Sequence, residues 1–199
     1  MKKISITLFL CALFSVSCSS DSSNDSNPAA GDCTSTIPFL ATGKSFTYKT
    51  TQFGFETGTL KYTVGACNGN GFLASRQVYD TNGVLSVANS GTDLWKQDGD
   101  FLATDSNNNG DYFAKIYKRN ATLGETWVYT RPTDGAIITH QLVDLDSLIT
   151  VPLGSYHCKV IKYTNSATIN ESHIFWVDDL GQIKEDADGF FVLELTALN

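Results

Sequence analysis

The sequence lacks the short motifs that mark common catalytic and nucleotide-binding sites. It contains no GxSxG elbow, no P-loop and no GxGxxG turn, and its three histidines form no HxH, HxxxH or HExxH arrangement. His140, His157 and His173 lie in separate β-rich runs, so we expect each at an exposed strand position. No enzymatic activity is therefore predicted, and no cofactor is required by any motif.

Basic residues are also scarce. The chain has 14 Lys and Arg against 21 Asp and Glu, its formal net charge is −7, and it contains no basic run. Nucleic-acid-binding proteins present a basic face to the phosphates, so nucleic acid is not expected as a partner. The acidity is better suited to keeping a domain soluble.

Apolar patterns at helical spacing are missing after the first residues. From residue 44 onward, short runs rich in Thr, Val, Ile, Tyr, Phe and Trp alternate with turn signals such as NGNG and TNG, and GVLSVA at 83–88 is one of these runs. This spacing predicts an all-β fold, a curved antiparallel meander that forms a half-barrel or a barrel. Trp95, Trp127 and Trp176 are interpreted as core residues, with an aromatic-lined cavity on the concave face as the alternative.

The first residues have the features of an export signal. Lys2 and Lys3 precede a short apolar run over 4–16, and SVSC then places small residues directly before Cys18. SVSC resembles the lipobox of bacterial lipoproteins, in which the signal is cut before a cysteine that carries acyl chains. The resemblance implies a signal peptide over 1–17 and lipidation of Cys18, whereas an ordinary secretory signal is the alternative.

The residues after Cys18 predict a disordered tether. Ser, Asp, Asn, Pro, Ala and Gly dominate this stretch, and such a composition cannot bury a core. We therefore expect a tether over 18–36 and a single β domain over 37–199. Ser19 stands where an aspartate would retain a lipoprotein in the inner membrane of enteric bacteria. The expected location is the outer membrane, on its periplasmic or its cell-surface face.

Three cysteines remain once Cys11 in the signal and Cys18 are set aside. Cys33 and Cys67 both lie beside Gly, Asn or Asp in predicted loops, so a disulfide between them is the expected pairing. Cys158 lies within an apolar strand and is expected to be a small buried side chain. No CxxC or Cys/His spacing indicates zinc or redox chemistry.

The loop ATDSNNNGDYF resembles the first half of a calcium-binding loop. Asp105, Asn107, Asn109 and Asp111 alternate as the ligands of an EF-hand do. The position of the closing bidentate glutamate is instead held by Ile116, and the flanks are strands. A long hairpin turn is the favoured interpretation, with weak calcium binding as the alternative.

The C-terminal part of the chain carries three further motifs. They are GETWVY, VPLGSYHCKVIKY and FWVDDLGQIK, and their marker residues are Gly124, Trp127, Tyr129, Val151, Pro152, Gly154, Tyr156, Cys158, Trp176, Gly181, Ile183 and Lys184. This succession resembles a domain of unknown function in periplasmic and lipid-anchored bacterial proteins, similar to the half-barrels of the lipoprotein carriers LolA and LolB. The resemblance implies a concave β surface without catalytic residues.

The predicted function is that of a lipid-anchored, non-enzymatic binding protein. Its partners would be the membrane, through the anchor, and an acyl chain, a glycan or an envelope protein on the concave surface. A structural or assembly lipoprotein that acts through protein–protein contacts is the alternative.

Overall fold

The computed structural model describes residues 33–106, 108–168 and 171–199. The predicted signal peptide, Cys18, most of the predicted tether and Asn107 lie outside the described residues. The described part of the chain forms twelve strands, which are β1 Ser45–Gln52, β2 Phe55–Cys67, β3 Phe72–Tyr79, β4 Gly91–Asp98, β5 Phe101–Asp105, β6 Ala114–Lys118, β7 Thr126–Thr130, β8 Ile137–Val151, β9 Gly154–Asn165, β10 Glu171–Val177, β11 Gly181–Ala187 and β12 Phe191–Leu198.

All twelve strands belong to one antiparallel sheet that curls into a nearly closed barrel. Their order is β6-β5-β4-β3-β2-β1-β12-β11-β10-β9-β8-β7. The first and last strands pair, with Phe46 opposite Leu198, so both ends of the domain lie in the middle of the sheet. In the part of the chain that the structure describes, no backbone ladder joins β6 to β7, and we call this gap the seam. The predicted all-β meander is confirmed.

Successive turns lie at alternate ends of the barrel because neighbouring strands are antiparallel. One end, which we call the mouth, carries the connections at 53–54, 80–90, 106–113, 131–136 and 188–190. The opposite end, which we call the plug end, carries the segment before β1 and the connections at 68–71, 99–100, 119–125, 152–153 and 178–180.

The segment before β1 fills the plug end of the barrel. Ile37, Phe39 and Leu40 are each 2% exposed, and the Phe39 ring lies 6.0 Å from that of Trp176. Burial of an apolar side chain of this size contributes about 1.5–3 kcal/mol. Gly181 has a φ of +92°, and a Cβ atom there would lie 3.3 Å from the Phe39 ring. The positive φ therefore favours glycine at this position, and a side chain there would press against the plug.

A disulfide fastens this segment to the barrel. Cys33 is bonded to Cys67 at the end of β2, with their Cα atoms 5.7 Å apart, which confirms the predicted pairing. Thr36 donates its backbone N–H to Oε1 of Gln97 at 2.7 Å. The contacts of the domain thus extend to Cys33, before the boundary expected at residue 37. Cys158 is buried and unpaired as predicted, and burial raises the pKa of its thiol to about 11.

The run at 83–88 is not a strand, contrary to the sequence-based expectation. It forms an isolated bridge between Tyr79 and Leu85 and then a short 3₁₀ helix, Val87–Asn89. The side chain of Asp80 accepts the backbone N–H groups of Asn82 and Val84, at 2.9 and 2.8 Å. Such local bonds compete with the ladder, so the chain turns where its β propensity favours a strand.

Helices are almost absent from the described residues. Across 33–106, 108–168 and 171–199, no helical segment has the length and apolar character needed to cross a membrane.

Candidate functional site

Two neighbouring cavities lie in the barrel. An inner cavity of about 120 Å³ lies against the plug. An outer cleft of about 600 Å³ lies at the mouth, between the connections on either side of the seam. Thr104 and Ile116 line both spaces, so the cleft leads toward the inner cavity.

The wall of the inner cavity consists mainly of aromatic rings. They come from the plug, β1, β2, β4 and β10, and they are Phe39, Phe46, Tyr48, Tyr62, Trp95 and Trp176. Strand register brings them together, since Phe46 lies opposite Tyr62 in the β1–β2 pair. The Tyr62 and Trp95 rings are 5.1 Å apart. Trp95, Trp127 and Trp176 are interpreted from the sequence as core residues or as the wall of a cavity. Trp176 fits both interpretations, because it belongs to the core and also lines a cavity.

Asp93 is the buried acidic group of the inner cavity. It is 6% exposed, and its Oδ1 lies 3.6 Å from Nε of Arg76, too far for a hydrogen bond. Burial raises the pKa of the Asp93 carboxyl to about 6, an effect that Arg76 reduces and that the charge of Asp105 increases. Among the described residues, Asp93 Oδ1 has no hydrogen-bond partner.

Trp176 provides a second buried polar atom in the same wall. The residue is 3% exposed, and its ring stacks on that of Tyr117 with centroids 4.6 Å apart. Its indole Nε1 has no hydrogen-bond acceptor within the described part of the chain. Tyr48, by contrast, donates its hydroxyl to the backbone carbonyl of Gln182 at 3.0 Å. Burial raises the pKa of the Tyr48 hydroxyl far above its usual value, so this tyrosine is a neutral donor.

The outer cleft combines aromatic rings with hydroxyl and charged groups. Its wall includes Ser106, Asp111, Tyr112, Tyr129, Arg131 and Thr133. The two tyrosine rings are 6.0 Å apart, and the Tyr112 hydroxyl donates to the carbonyl oxygen of Thr130 at 2.9 Å. Arg131 is held by both carboxylate oxygens of Asp134, at 2.8 and 2.5 Å, which fixes its guanidinium group at the cleft edge.

Side chains bridge the seam below the cleft. Trp127 on β7 donates its indole Nε1–H to the carbonyl oxygen of Lys115 on β6 at 2.9 Å. Nearer the plug end, Lys118 forms an ion pair with Glu125. Within the described residues, side chains and not a backbone ladder therefore hold the two edges together.

His140 lies behind the seam, in the interior. It was expected at an exposed strand position, but it is 1% exposed, and that expectation is wrong for this residue. Its ring stacks on Trp127, with centroids 5.5 Å apart, because the two residues lie opposite each other in the β7–β8 pair. Burial lowers the pKa of His140 to about 4, so the ring is neutral near pH 7. His157 is exposed as expected, beside Asp146.

The 105–111 loop forms the mouth-end connection between β5 and β6. Asp105 is buried, and its Oδ2 accepts the backbone N–H groups of Asn109 and Gly110, at 3.1 and 2.7 Å. Asn109 Oδ1 accepts the N–H of Asp111 at 3.4 Å. The side chains thus close a turn, as the favoured interpretation requires. No cluster of three or more His, Cys, Asp or Glu residues suited to a metal occurs among the described residues. Calcium binding stays a prediction.

Comparisons with known proteins identify the fold. No protein-family model matches the sequence, and no curated protein matches it either. A solved structure from Bacteroides fragilis, provisionally described as an exported protein with a YmcC-like fold, has a TM-score of 0.56 with this chain. The sequences are 12% identical, and the alignment covers 80% of this chain and 96% of the other. The chain thus shares the fold of that protein.

The family resemblance seen in the C-terminal motifs stays a prediction, since no family model matches. Its marker residues fall on β7 to β11 and in the connections before β7 and between β8 and β9. Three of them contribute to the two cavities, namely Tyr129, Trp176 and Gly181. Gln182, within the third motif on β11, also lines the inner cavity. Most of the other lining residues come from β1 to β6, the 106–113 connection and the plug, and Arg131, Pro132 and Thr133 come from the connection after β7.

Proposed function

We propose that the protein is an exported, non-enzymatic binding protein that holds a glycan in the outer cleft. The main support for the proposal is the set of side chains that line this cleft. Tyr112 and Tyr129 provide ring faces, and Ser106, Asp111 and Arg131 provide hydrogen-bonding groups around them. Ring faces pack against the C–H faces of a sugar while polar side chains bind its hydroxyl groups. A volume of about 600 Å³ falls within the usual range of small-molecule sites.

An acyl chain fits these spaces less well. The outer cleft places Asp111 and Arg131 in its wall, and burying such charges against a hydrocarbon would be costly. The inner cavity has a volume of about 120 Å³, whereas a cavity of about 150 Å³ holds a single benzene molecule. A long chain would therefore have to displace part of the aromatic wall.

The positions of the two carboxylates of the cleft favour binding of a glycan over its hydrolysis. Oδ2 of Asp105 is already committed to two backbone N–H groups of its own loop. Glycosidases need two carboxyl groups that face each other across the scissile bond, one of which donates a proton. Asp111 is the other acidic residue of the wall, and it lies in the same loop as Asp105.

We further propose that Cys18 is lipidated and anchors the protein at the outer membrane. The sequence SVSC and the acidic, serine-rich stretch after it support this proposal. The description of the Bacteroides protein as exported agrees with it. Since the segment before β1 enters at the plug end, the tether would leave the mouth free to meet a ligand.

Isothermal titration with defined oligosaccharides tests the glycan proposal. The panel is maltohexaose, cellohexaose, mannohexaose, N-acetylchitohexaose and oligogalacturonate. We expect saturable binding to at least one of them, and Tyr112→Ala should weaken it about tenfold through loss of a stacked ring. Val128→Ala is the matched control, because Val128 is 58% exposed on a neighbouring strand and does not line the cleft.

The assembly alternative predicts a different outcome. If no glycan of the panel binds while the purified protein forms a stable complex with another envelope protein, the function lies in protein–protein contacts. That complex should survive Tyr112→Ala, because the ring of Tyr112 faces the cleft.

A further inference from the structure

Two buried polar atoms in the wall of the inner cavity lack a hydrogen-bond partner among the described residues. Asp93 Oδ1 can accept a hydrogen bond, and Trp176 Nε1 can donate one. Both residues are more than nine-tenths buried, at 6% and 3% exposed, and both line the same space. Asp93 Oδ1 keeps Nε of Arg76 as an ionic neighbour at 3.6 Å, beyond hydrogen-bond distance. Buried polar atoms in folded proteins are nearly always paired, so both atoms are available to a hydrogen-bonding ligand in the cavity.

The chemistry of the two atoms defines that partner. An ammonium group would satisfy Asp93 alone, and a carboxylate would satisfy Trp176 alone. A hydroxyl group both donates and accepts, so a ligand that carries hydroxyl groups can serve the acceptor at Asp93 and the donor at Trp176. The surrounding rings of Tyr48, Tyr62 and Trp95 suit the C–H groups that accompany a sugar hydroxyl.

We propose that the inner cavity is a subsite for a hydroxyl-bearing end of the ligand, such as the hydroxymethyl group of a terminal sugar. The ligand would reach it from the outer cleft, past Thr104 and Ile116, which line both spaces. This inference rests on the proposed function and adds to it the group that is recognised at depth. About 120 Å³ admits one end of a sugar and excludes a whole oligosaccharide.

A small polyol tests the subsite without the outer cleft. The experiment follows the indole N–H signals of ¹⁵N-labelled full-length protein by NMR while glycerol is added, and in a parallel titration benzene. We expect glycerol to shift the Trp176 signal in a saturable manner. The Trp127 signal is the internal control, because that indole is hydrogen-bonded to Lys115 and lines neither cavity.

Three outcomes would overturn the inference. A response to benzene and not to glycerol would make the cavity an apolar pocket. A response to neither would mean that it holds only water, and equal shifts of Trp127 and Trp176 would mean a solvent effect.

Two variants test whether the inner cavity contributes to oligosaccharide binding. Trp176→Phe keeps a ring and removes the donor, and Asp93→Asn keeps the shape and replaces one oxygen by an N–H donor. Each should weaken the best oligosaccharide of the panel about tenfold. A well-dispersed NMR spectrum confirms folding of each variant, and Asp93→Asn provides the answer if Trp176→Phe does not fold.

Glycan binding that neither substitution weakens would refute the subsite and leave the proposed function intact. Absence of glycan binding with a saturable glycerol response would instead sink the proposed function.

Discussion

Trp127 donates its indole Nε1–H to the carbonyl oxygen of Lys115 at 2.9 Å, across the seam between β7 and β6. The two strands are consecutive in the chain, and consecutive antiparallel strands usually pair as a hairpin. Here an indole lies between them and takes one of the hydrogen bonds that a ladder would otherwise make. The Trp127 ring also contacts Phe101 and His140, with centroids 6.0 and 5.5 Å away. Trp127 therefore links the two edges of the sheet.

Loss of this link should loosen the seam. Trp127→Phe removes the donor and leaves the Lys115 carbonyl without this partner, at a cost of about 1–3 kcal/mol. We expect a lower melting temperature and faster hydrogen exchange in β6 and β7, with little change in β1 and β12. Val128→Ala should leave both measurements close to those of the wild type. Uniform acceleration of exchange over all strands would contradict a role confined to the seam.

His140 should make stability depend on pH. Its pKa is lowered to about 4 in the folded state because burial disfavours the charged ring. Between that value and the ordinary pKa of about 6.5, the unfolded chain binds more protons than the folded one. The stabilisation is therefore fully present above about pH 6.5, and on the order of 3 kcal/mol is lost as the pH falls toward 4.

Asp93 should act in the opposite direction. Its pKa is raised to about 6, so the folded state binds the extra proton, and its contribution is lost as the pH rises through that value. Urea unfolding from pH 4 to pH 8 separates the two groups. His140→Phe should flatten the loss of stability at low pH, and Asp93→Asn should make that loss steeper. A His140→Phe variant with the wild-type pH profile would show that the histidine does not titrate as inferred.

The disulfide should contribute substantially to the stability of the packed plug. The bond closes a loop between residues separated by 34 positions, and such bonds typically contribute about 2–4 kcal/mol. Cys33→Ser with Cys67→Ser should lower the melting temperature by roughly 4 to 16 °C for a domain of this size. Reduction of the wild type should give the same value, whereas the double variant should not respond to reductant. An unchanged melting temperature in both experiments would show that the packing of Phe39 and its neighbours suffices.

Replacement of Cys18 should release the protein from membranes. Lipoproteins carry several acyl chains on this cysteine, and several chains anchor stably where one is marginal. Cys18→Ser should therefore move the protein to the soluble fraction and abolish labelling by radioactive palmitate. Cys11→Ser, within the predicted signal peptide, should leave both unchanged. A Cys18→Ser protein that stays in the membrane fraction would refute the anchor.

The sequence predicted the strands, the meander and the disulfide, because alternating β-rich runs and loop cysteines are local signals. It did not predict the fate of 83–88, where the side chain of Asp80 overrides β propensity through two short local bonds. It also did not single out Asp93, a polar residue in a β-rich run whose burial depends on closure of the barrel. The burial of His140 could not be predicted for the same reason. Its environment consists of Trp127, Tyr129 and Tyr163, and register decides which of these meet.

The wall of the inner cavity could not be predicted from the sequence. Its wall combines Phe39 from the plug with Trp95 from β4 and Trp176 from β10, which are far apart in the chain. The pairing of β1 with β12 joins the two halves of the sheet and so brings these segments around one space. The three aromatic residues carried no signal that separated a cavity wall from an ordinary core.

The decisive measurement for glycan binding in the outer cleft is a crystal structure of the protein with the best-binding oligosaccharide of the panel. We expect electron density for a sugar ring against Tyr112 and Tyr129 in the outer cleft, with hydroxyl groups directed toward Asp93 and Trp176. Density for the oligosaccharide elsewhere on the barrel, with the outer cleft holding only water, would contradict it.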